Sequence, residues 1–583
     1  MKTSIYIFII LLIFQSLWLD EQCKARDLQG TGNLPLISGL TYGNILQSGV
    51  SVYWTTDSPA DSKILWMVSD SNYQPLVFTD SLYFSTAVSS HIVPISNLQP
   101  ATIYKYRVIS RNAGGAAADS GYFITQSAST GKTVVYFNHS VDTTVSTGEK
   151  ANGNKDFSAF LIDRIDSAKY SIDITLWEFT YYTAVLNALI HAKNNGVKIR
   201  FIYTNNTPDS PLVESLVANG IPVLKRNYDT THSMHNKFWI FDYRNNSDAG
   251  IKYLWTGSAN VSHAQLHQDR NNVIVVQDES LCAAYTREFE EMWGSHKDIP
   301  IKSRARFGAI KVNNVPHVFN VAGVRMEAWF SPSDSVTRYV CNLISSETTK
   351  SLYFCMFKFT LHDFEDTLHS IFQHGMEISG VFDSSNSVDA GCAYPRMKGA
   401  SVPDAWNPAA DVFIDTITGL LHHKYFIVDA GPSAGNKITV TGSFNWEPDA
   451  SLKNDENSLI VFDARVNNLY YQEFYKRYKE SGGTTVGIHN AGSATGRTEH
   501  LGQNYPNPFS LSTVIPYNLP AASFVRLSIF DSHGIEVEVL LNAPQSSGAH
   551  TSSWNSSLFP AGMYCIRLTA GGYTETRKMT VMK

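Results

Sequence analysis

What is missing narrows this chain before anything present does. No Cys-x-x-Cys pair occurs, and there are only six cysteines in 583 residues. A zinc site of paired thiolates is therefore not written into it, nor is a disulfide framework. Charged residues make up 17 %, the net charge is -6, and there is no long basic stretch. A general nucleic-acid binder usually presents a basic surface, so this balance argues against that class, though not against a local basic cleft. Beyond the N-terminus no run is long and apolar enough to span a bilayer. Aromatics at 12 % and the modest charge content exclude a disordered chain. One core cannot serve this length, so three to five domains are expected.

The N-terminus reads MKTSIYIFIILLIFQSLWLDEQCKA. Lys2 supplies a positive start, and Ile5 to Leu17 is apolar but short for a membrane span. Cys23-Lys24-Ala25 places small residues where a signal peptidase cuts, so residues 1–25 read as a signal peptide. Asp20, Glu21 and Gln22 argue against a lipoprotein site. Five cysteines then remain: Cys282, Cys341, Cys355, Cys392 and Cys565. The number is odd, and a pair within 341–392 is left open.

Residues 33–127 alternate in short strands. VSVYWTT is one, and a Leu98-Gln99-Pro100 turn leads into another through Tyr104 and Tyr106. Even spacing of this kind suggests a β-sandwich. From Gly131 the period changes. FSAFLIDRIDSA is helical, YSIDITLWEFT is a strand, and VLNALIHAKNNGVKIRFIYTN is a helix closed by Gly196 and followed by a strand. Strand, helix and strand in that order imply a parallel sheet with helical cover. LYFCMFKFT and FEDTLHSIFQHGMEISGVFDSS repeat the arrangement. Phe179-Thr180 aligns with Phe359-Thr360, and Gly196 with Gly375. The fold class expected is multidomain: duplicated α/β lobes at 131–310 and 317–480, with mixed sheets flanked by helices. A Gly/Ser/Thr-rich linker at 481–499 follows, and a second small β-sandwich at 500–583 ends the chain.

Each lobe carries one copy of an unusual pattern. In the first, His235-x-Lys237 is followed by Asp242 and then by Gly257-Ser258-Ala259-Asn260. In the second, His422-x-Lys424 is followed by Asp429 and then by Gly442-Ser443-Phe444-Asn445. Asn271-Asn272 and Glu456-Asn457 come later, each opening an apolar strand. Alternation sends each His and Lys to one face. Histidine exchanges protons near neutrality, and lysine is a compact cation suited to phosphate oxygens. Two such sets around one pocket fit displacement at a phosphodiester. One imidazole attacks phosphorus, the other protonates the leaving oxygen, and the lysines balance the developing charge. No carboxylate or His/Cys cluster suggests a metal. Asp242 and Asp429 read as structural rather than chemical. His423 points to the opposite strand face. His232, His263 and His267 flank the motif, and Trp177, Trp239, Trp406 and Trp446 are candidate pocket walls, with core packing the reading for mid-strand Trp239.

The paired HxKx4D and GSxN patterns resemble the phospholipase D superfamily over about Val134 to Tyr478. The resemblance implies two lobes about a pseudo-twofold axis with one site at their interface and no cofactor. It implies catalytic positions at His235, Lys237, Asp242, His422, Lys424 and Asp429, with His235 the nucleophile and His422 the general acid. Ser258, Asn260, Ser443 and Asn445 would take the phosphate. An acid usually orients each histidine. Glu456 matches that place in one half, while the other has Asn271, with Asp269 two residues earlier. LQPATIYKYRV resembles the tyrosine corner of fibronectin type III domains. NYPNPF, V-x-L-x-I-x-D with its glycine, Trp554 and GMY resemble the C-terminal sorting domains of the type IX secretion system. Together these imply an exported, secreted or cell-surface phospholipase D-type hydrolase that crosses the periplasm. Its expected partners are a phospholipid or other phosphodiester, a membrane surface and the secretion machinery, with no stable nucleic-acid partner. The alternatives are a metal-independent nuclease of the same superfamily and an inactive surface-binding protein.

Overall fold

The computed structural model describes residues 33–484 and 500–581. Stretches at 70–76, 181, 205–210, 227–232, 246–247, 390 and 433–434 are excluded, as are 505–506, 508, 510, 520, 532–535, 557–558, 560–561 and 571–572 in the last unit. The signal-peptide reading, His232 and most of the linker lie outside the described residues. The chain forms two compact units, Met1–Gly487 and Ile488–Lys583. No described helix is long and apolar enough to cross a membrane.

Two mixed sheets build the centre of the first unit, and their strands run in matching order. One orders Thr133–Phe137, Asn272–Val276, Tyr253–Gly257, Phe238–Phe241, Ser171–Leu176, Lys198–Tyr203 and Val223–Lys225. The other orders Val324–Ser331, Glu456–Phe462, Ile438–Gly442, Lys424–Val428, Ser351–Met356, Glu377–Phe382 and Asp411–Ile414, with Val318–Val321 added at the edge. In each sheet the last three strands are parallel and the others antiparallel. The parallel pairs require crossovers. Helices Thr183–Asn194 and His362–Gln373 supply them, and each ends before a glycine of positive φ, Gly196 or Gly375.

Two further helices lie between the sheets. Glu279–Trp293 is capped by Asp278 and closed by Gly294 in the left-handed conformation. Ala464–Glu480 is capped by Asp463. Leu281, Tyr285 and Phe289 of the first share one core with Leu469, Tyr470 and Phe474 of the second. Both lobes therefore bury apolar surface in a common interior, and this holds the sheet ends that carry the two motifs against each other.

Ahead of these lobes, five strands between Ile37 and Ile124 hydrogen-bond into one continuous sheet through the 20-residue strand Gly49–Val68. The Tyr104 hydroxyl accepts the Gln99 backbone N–H at 2.8 Å, the contact of a tyrosine corner. This sheet is not a detached spacer. Ile103 and Ile124 join the core shared by the lobes. The Tyr42 hydroxyl donates to Val318 O at 2.8 Å and accepts from Val318 N at 3.0 Å. In the second unit a two-stranded and a four-stranded sheet enclose one core that includes Ile515, Leu527, Trp554 and Ile566. All five described cysteines are free thiols, so the open 341–392 pair is not a disulfide.

Replacing Tyr42 with Phe removes both bonds to Val318 and should cost about 1–2 kcal/mol. Urea unfolding of the full chain checks this, and an unchanged midpoint would mean that the N-terminal sheet is not fastened to the second lobe there.

Candidate active site

The two motifs meet through backbone first. His235 N donates to Asp455 O at 2.9 Å, and Asp455 N donates to Ser233 O at 3.0 Å. On the other side Arg270 N donates to Leu420 O at 2.8 Å. Met234 bridges Asp455 and Arg270 bridges Leu421, so each lobe lends the other a short parallel pairing just ahead of its histidine. The Asp455 carboxylate lies in a fully buried network with Arg226, Lys311 and the Gly308 amide. That network fixes the carbonyl that receives His235.

The side chains then cross. His235 Nδ1 donates to the Glu456 carboxylate, with both oxygens at 2.8 Å. His422 Nδ1 lies 3.0 Å from Asn271 Oδ1. Asn271 Nδ2 donates to Gln265 O at 2.8 Å, which turns its oxygen toward the imidazole. Each ring is thus oriented by a residue of the opposite lobe, and Nε2 is the nitrogen turned away from that partner. The pairing repeats one layer deeper. Asn457 Nδ2 donates to Thr256 Oγ1 at 2.8 Å, and Asn272 Oδ1 accepts from Thr441 Oγ1 at 2.8 Å.

Lys237 and Lys424 are buried, and each Nζ donates to the carbonyl two residues back, His235 O or His422 O, both at 2.8 Å. One of three N–H donors is spent in this way. Trp177 meets His235 edge-on at 5.9 Å between centroids, and Phe357 lies 4.7 Å from His422 with Lys424 Nζ over its ring. Trp177 and Phe357 occupy the same place in the two lobes. Only the first was singled out in the sequence; aligning LWEF with MFKF identifies the second.

The electrostatics follow from burial. One carboxylate, Glu456, touches the cluster, at His235, and burial pushes the Lys424 ammonium well below its ordinary range. Desolvation pushes both histidines well below their ordinary range, and Lys237 and Lys424 add to this. Burial takes Lys237 down to about 7 and Glu456 up to about 8. His235 and His422 are close enough that one depresses the other. Such a cluster favours the entry of an anion.

Several expected roles change. The resemblance put Asp242 and Asp429 among the catalytic positions, but their bonds are those of the structural role read from the residues. Asp242 accepts the backbone N–H groups of Lys169, Tyr170 and Ser171, and Asp429 those of Thr349, Lys350 and Ser351. Both adopt left-handed backbone, φ 59° and 51°, which aspartate tolerates better than most residues. They pin the start of the neighbouring strand at the far end of the motif strand. Ser258 and Ser443 do not offer free hydroxyls to a phosphate either. Ser258 Oγ donates to Asn271 Oδ1 at 2.7 Å and accepts from Asn272 N, while Ser443 Oγ donates to Glu456 at 2.6 Å and accepts from Asn457 N. They hold the orienting residues. The glycines before them are needed because a Cβ on Gly257 or Gly442 would overlap Asn272 O or Asn457 O.

Asp269 does not orient a histidine. Its carboxylate accepts Leu420 N at 2.9 Å and Gln265 Nε2 at 2.7 Å, and Asn271 stands at the ring instead. Asn260 and Asn445 are buried, and each has one amide atom without a partner, Nδ2 and Oδ1 respectively. His423 faces the interior, held by Asn272 at 3.0 Å and Glu473 at 2.9 Å. Of the four tryptophans, only Trp177 stands beside His235 or His422; Trp239, Trp406 and Trp446 are core, and Trp406 stacks on His369, away from the cluster. His267 bonds Tyr182 OH at 3.2 Å and stacks near His263, outside the cluster. Among the described residues no group of three or more His, Cys, Asp or Glu is arranged to hold a metal.

Residues 161–293 and 340–478 each match the family described as cardiolipin synthase, PLD-like domain. Both lobes are therefore PLD-like domains. Residues 503–582 match the secretion system C-terminal sorting domain, which marks the chain as secreted or held at the cell surface. The mitochondrial cardiolipin hydrolase of Mus musculus is 27 % identical over 146 residues, 25 % of this chain and 59 % of that protein. A phospholipase D of Rickettsia prowazekii is 24 % identical over 148 residues, 25 % of this chain and 65 % of that protein. The matched stretch thus spans less than two-thirds of either relative. Nuc of Salmonella typhimurium, a solved phospholipase D family member, aligns at 22 % identity over 27 % of this chain and 94 % of its own, with a TM-score of 0.23, too loose a superposition to argue from.

Substituting Ala strands three backbone donors at Asp242 and four at Asp429, and should destabilise the PLD-like lobes by about 3 kcal/mol. Denaturant midpoints read this. Unchanged stability with activity lost would instead return these aspartates to the reacting group.

Proposed function

We propose that the chain is a secreted phosphodiesterase that hydrolyses phospholipid head groups through a covalent phosphohistidine. The observation that carries this reading is the cluster of His235, His422, Lys237 and Lys424, drawn equally from two lobes and oriented across them. His235, with Glu456 taking its Nδ1 proton in a hydrogen bond, presents the Nε2 lone pair to phosphorus. The phosphorus–oxygen bond to the alcohol breaks as His422 passes its Nε2 proton to the leaving oxygen. His422 then takes a proton from water, the hydroxyl attacks phosphorus, and His235 is released with phosphatidic acid as the second product. The free donors of Lys237 and Lys424, with Asn260 Nδ2, face the non-bridging oxygens, while Asn445 Nδ2 is committed to Glu447 at 3.2 Å. Ser258, Ser443, Asn271 and Glu456 set the two rings. No step requires a metal.

Lipid is favoured over nucleic acid by the acidic balance of the chain and by Trp177 and Phe357 at the imidazoles, which give an apolar approach. Binding at a membrane surface and transit through the periplasm by the type IX route complete the reading.

Purified full-length protein with EDTA present should release choline from phosphatidylcholine vesicles and leave plasmid DNA intact. His235→Ala and His422→Ala should each lower turnover by at least about a thousandfold, the scale for losing a nucleophile or proton donor. Nicked plasmid with silent vesicles would assign a nuclease instead. Substantial turnover by either histidine variant would refute the shared site.

A further inference from the structure

The two halves of the site match closely in sequence but differ in the charge of the residue that holds each imidazole. His235 is held by a carboxylate and His422 by a primary amide. Around the His235–Glu456 pair, one proton can be gained without creating a net cation. Around His422–Asn271 it cannot. We infer that Asn271 is a positioning residue that leaves His422 with no charge partner of its own, so that the substrate's phosphate is what loads this ring with the proton it donates. This rests on the reading above that His422 is the proton donor.

Among the described residues no carboxylate bonds the His422 ring: Glu447, which acts on Lys424, pairs with Lys358 at 2.9 Å, and Glu178, which acts on Lys237, accepts Thr180 Oγ1 at 2.8 Å. His423 and Lys424 share the His422 segment, and His235 and Lys237 face it from the first lobe; all four disfavour a positive ring. The nearest acids are spoken for. Asp269 accepts Leu420 N at 2.9 Å, Asp383 accepts Leu421 N at 2.8 Å, and Glu473 takes His423 at 2.9 Å. Glu456 is bound to His235 and Ser443. An incoming phosphodiester brings a negative charge between Lys237 and Lys424, beside both rings. It offsets the ammoniums and makes a proton on His422 Nε2 favourable at the moment it is needed. In the free protein the ring stays neutral. The neutral amide thus keeps the general acid uncharged until a phosphate arrives, whereas a carboxylate there would keep it charged throughout.

The test is a histidine-selective NMR titration of the full chain, free and with dimethyl phosphate, a diester anion that does not itself titrate near neutrality. Assignments come from His422→Gln and His235→Gln. In the free protein His235 should titrate above His422, and dimethyl phosphate should raise the His422 midpoint by about one pH unit or more. Asn271→Asp should raise it in the free protein by a similar amount, shrink the ligand-induced shift and move the alkaline limb of kcat upward. That variant sets a carboxylate against Gln265 O, which works against folding; the wild-type titration decides the matter without it. A His422 ring already charged at neutral pH in the free protein, or one unmoved by dimethyl phosphate, overturns the inference. Failure of the hydrolase reading looks different, since it leaves wild-type protein without turnover on any phosphodiester.

Discussion

Every feature of the site depends on one exchange. Each lobe places the residue that orients a histidine on its own strand but under the other lobe's ring. Neither half can be complete alone, because Glu456 serves His235 and Asn271 serves His422. The backbone pairings at Met234–Asp455 and Arg270–Leu421 set the reach of those side chains, and the core around the two central helices keeps the pairings closed. An imidazole held at Nδ1 has one free nitrogen with a fixed direction. Two rings held in this way, with Lys237 and Lys424 acting on both, make one cluster drawn from both lobes.

Burial works against the charges and for the chemistry. An exposed lysine would stay protonated and hydrated. Lys237 and Lys424 are stripped of water and meet only their own backbone carbonyls and the groups of the site. The cost of keeping such groups charged falls when a phosphate enters, so part of the binding free energy comes from relieving the cluster. Asp242, Asp429, Gly257 and Gly442 stabilise the frame that permits this. They are as regular a part of the repeated motif as the histidines, but they act on strand geometry.

Much of this was legible in the chain. The alignment of Phe179-Thr180 with Phe359-Thr360, and the paired His-x-Lys patterns, locate both lobes and the residues that converge between them, because strand and helix periods are local properties. The orienting pairs were not legible. Glu456 was picked out, but which ring it meets depends on an exchange between segments 221 residues apart. Asp269 looked suitable by residue type; its carboxylate is turned to the Leu420 amide, and the amide of Asn271 does the orienting. Ser258 and Ser443 are chemically able to bind phosphate and lie one layer too deep, which no local pattern reveals. The N-terminal sheet read as a separate module because its strands alternate regularly. Its attachment through Tyr42 and Val318 joins positions 276 residues apart.

Each imidazole is governed from the opposite half of the molecule. The most direct measurement is the nitrogen NMR spectrum of the two rings after the conservative change Glu456→Gln, made wholly within the second lobe. The account predicts that the Nδ1 resonance and titration of His235, in the first lobe, shift strongly while those of His422 change little. A response confined to His422, the histidine of the same lobe, would contradict it.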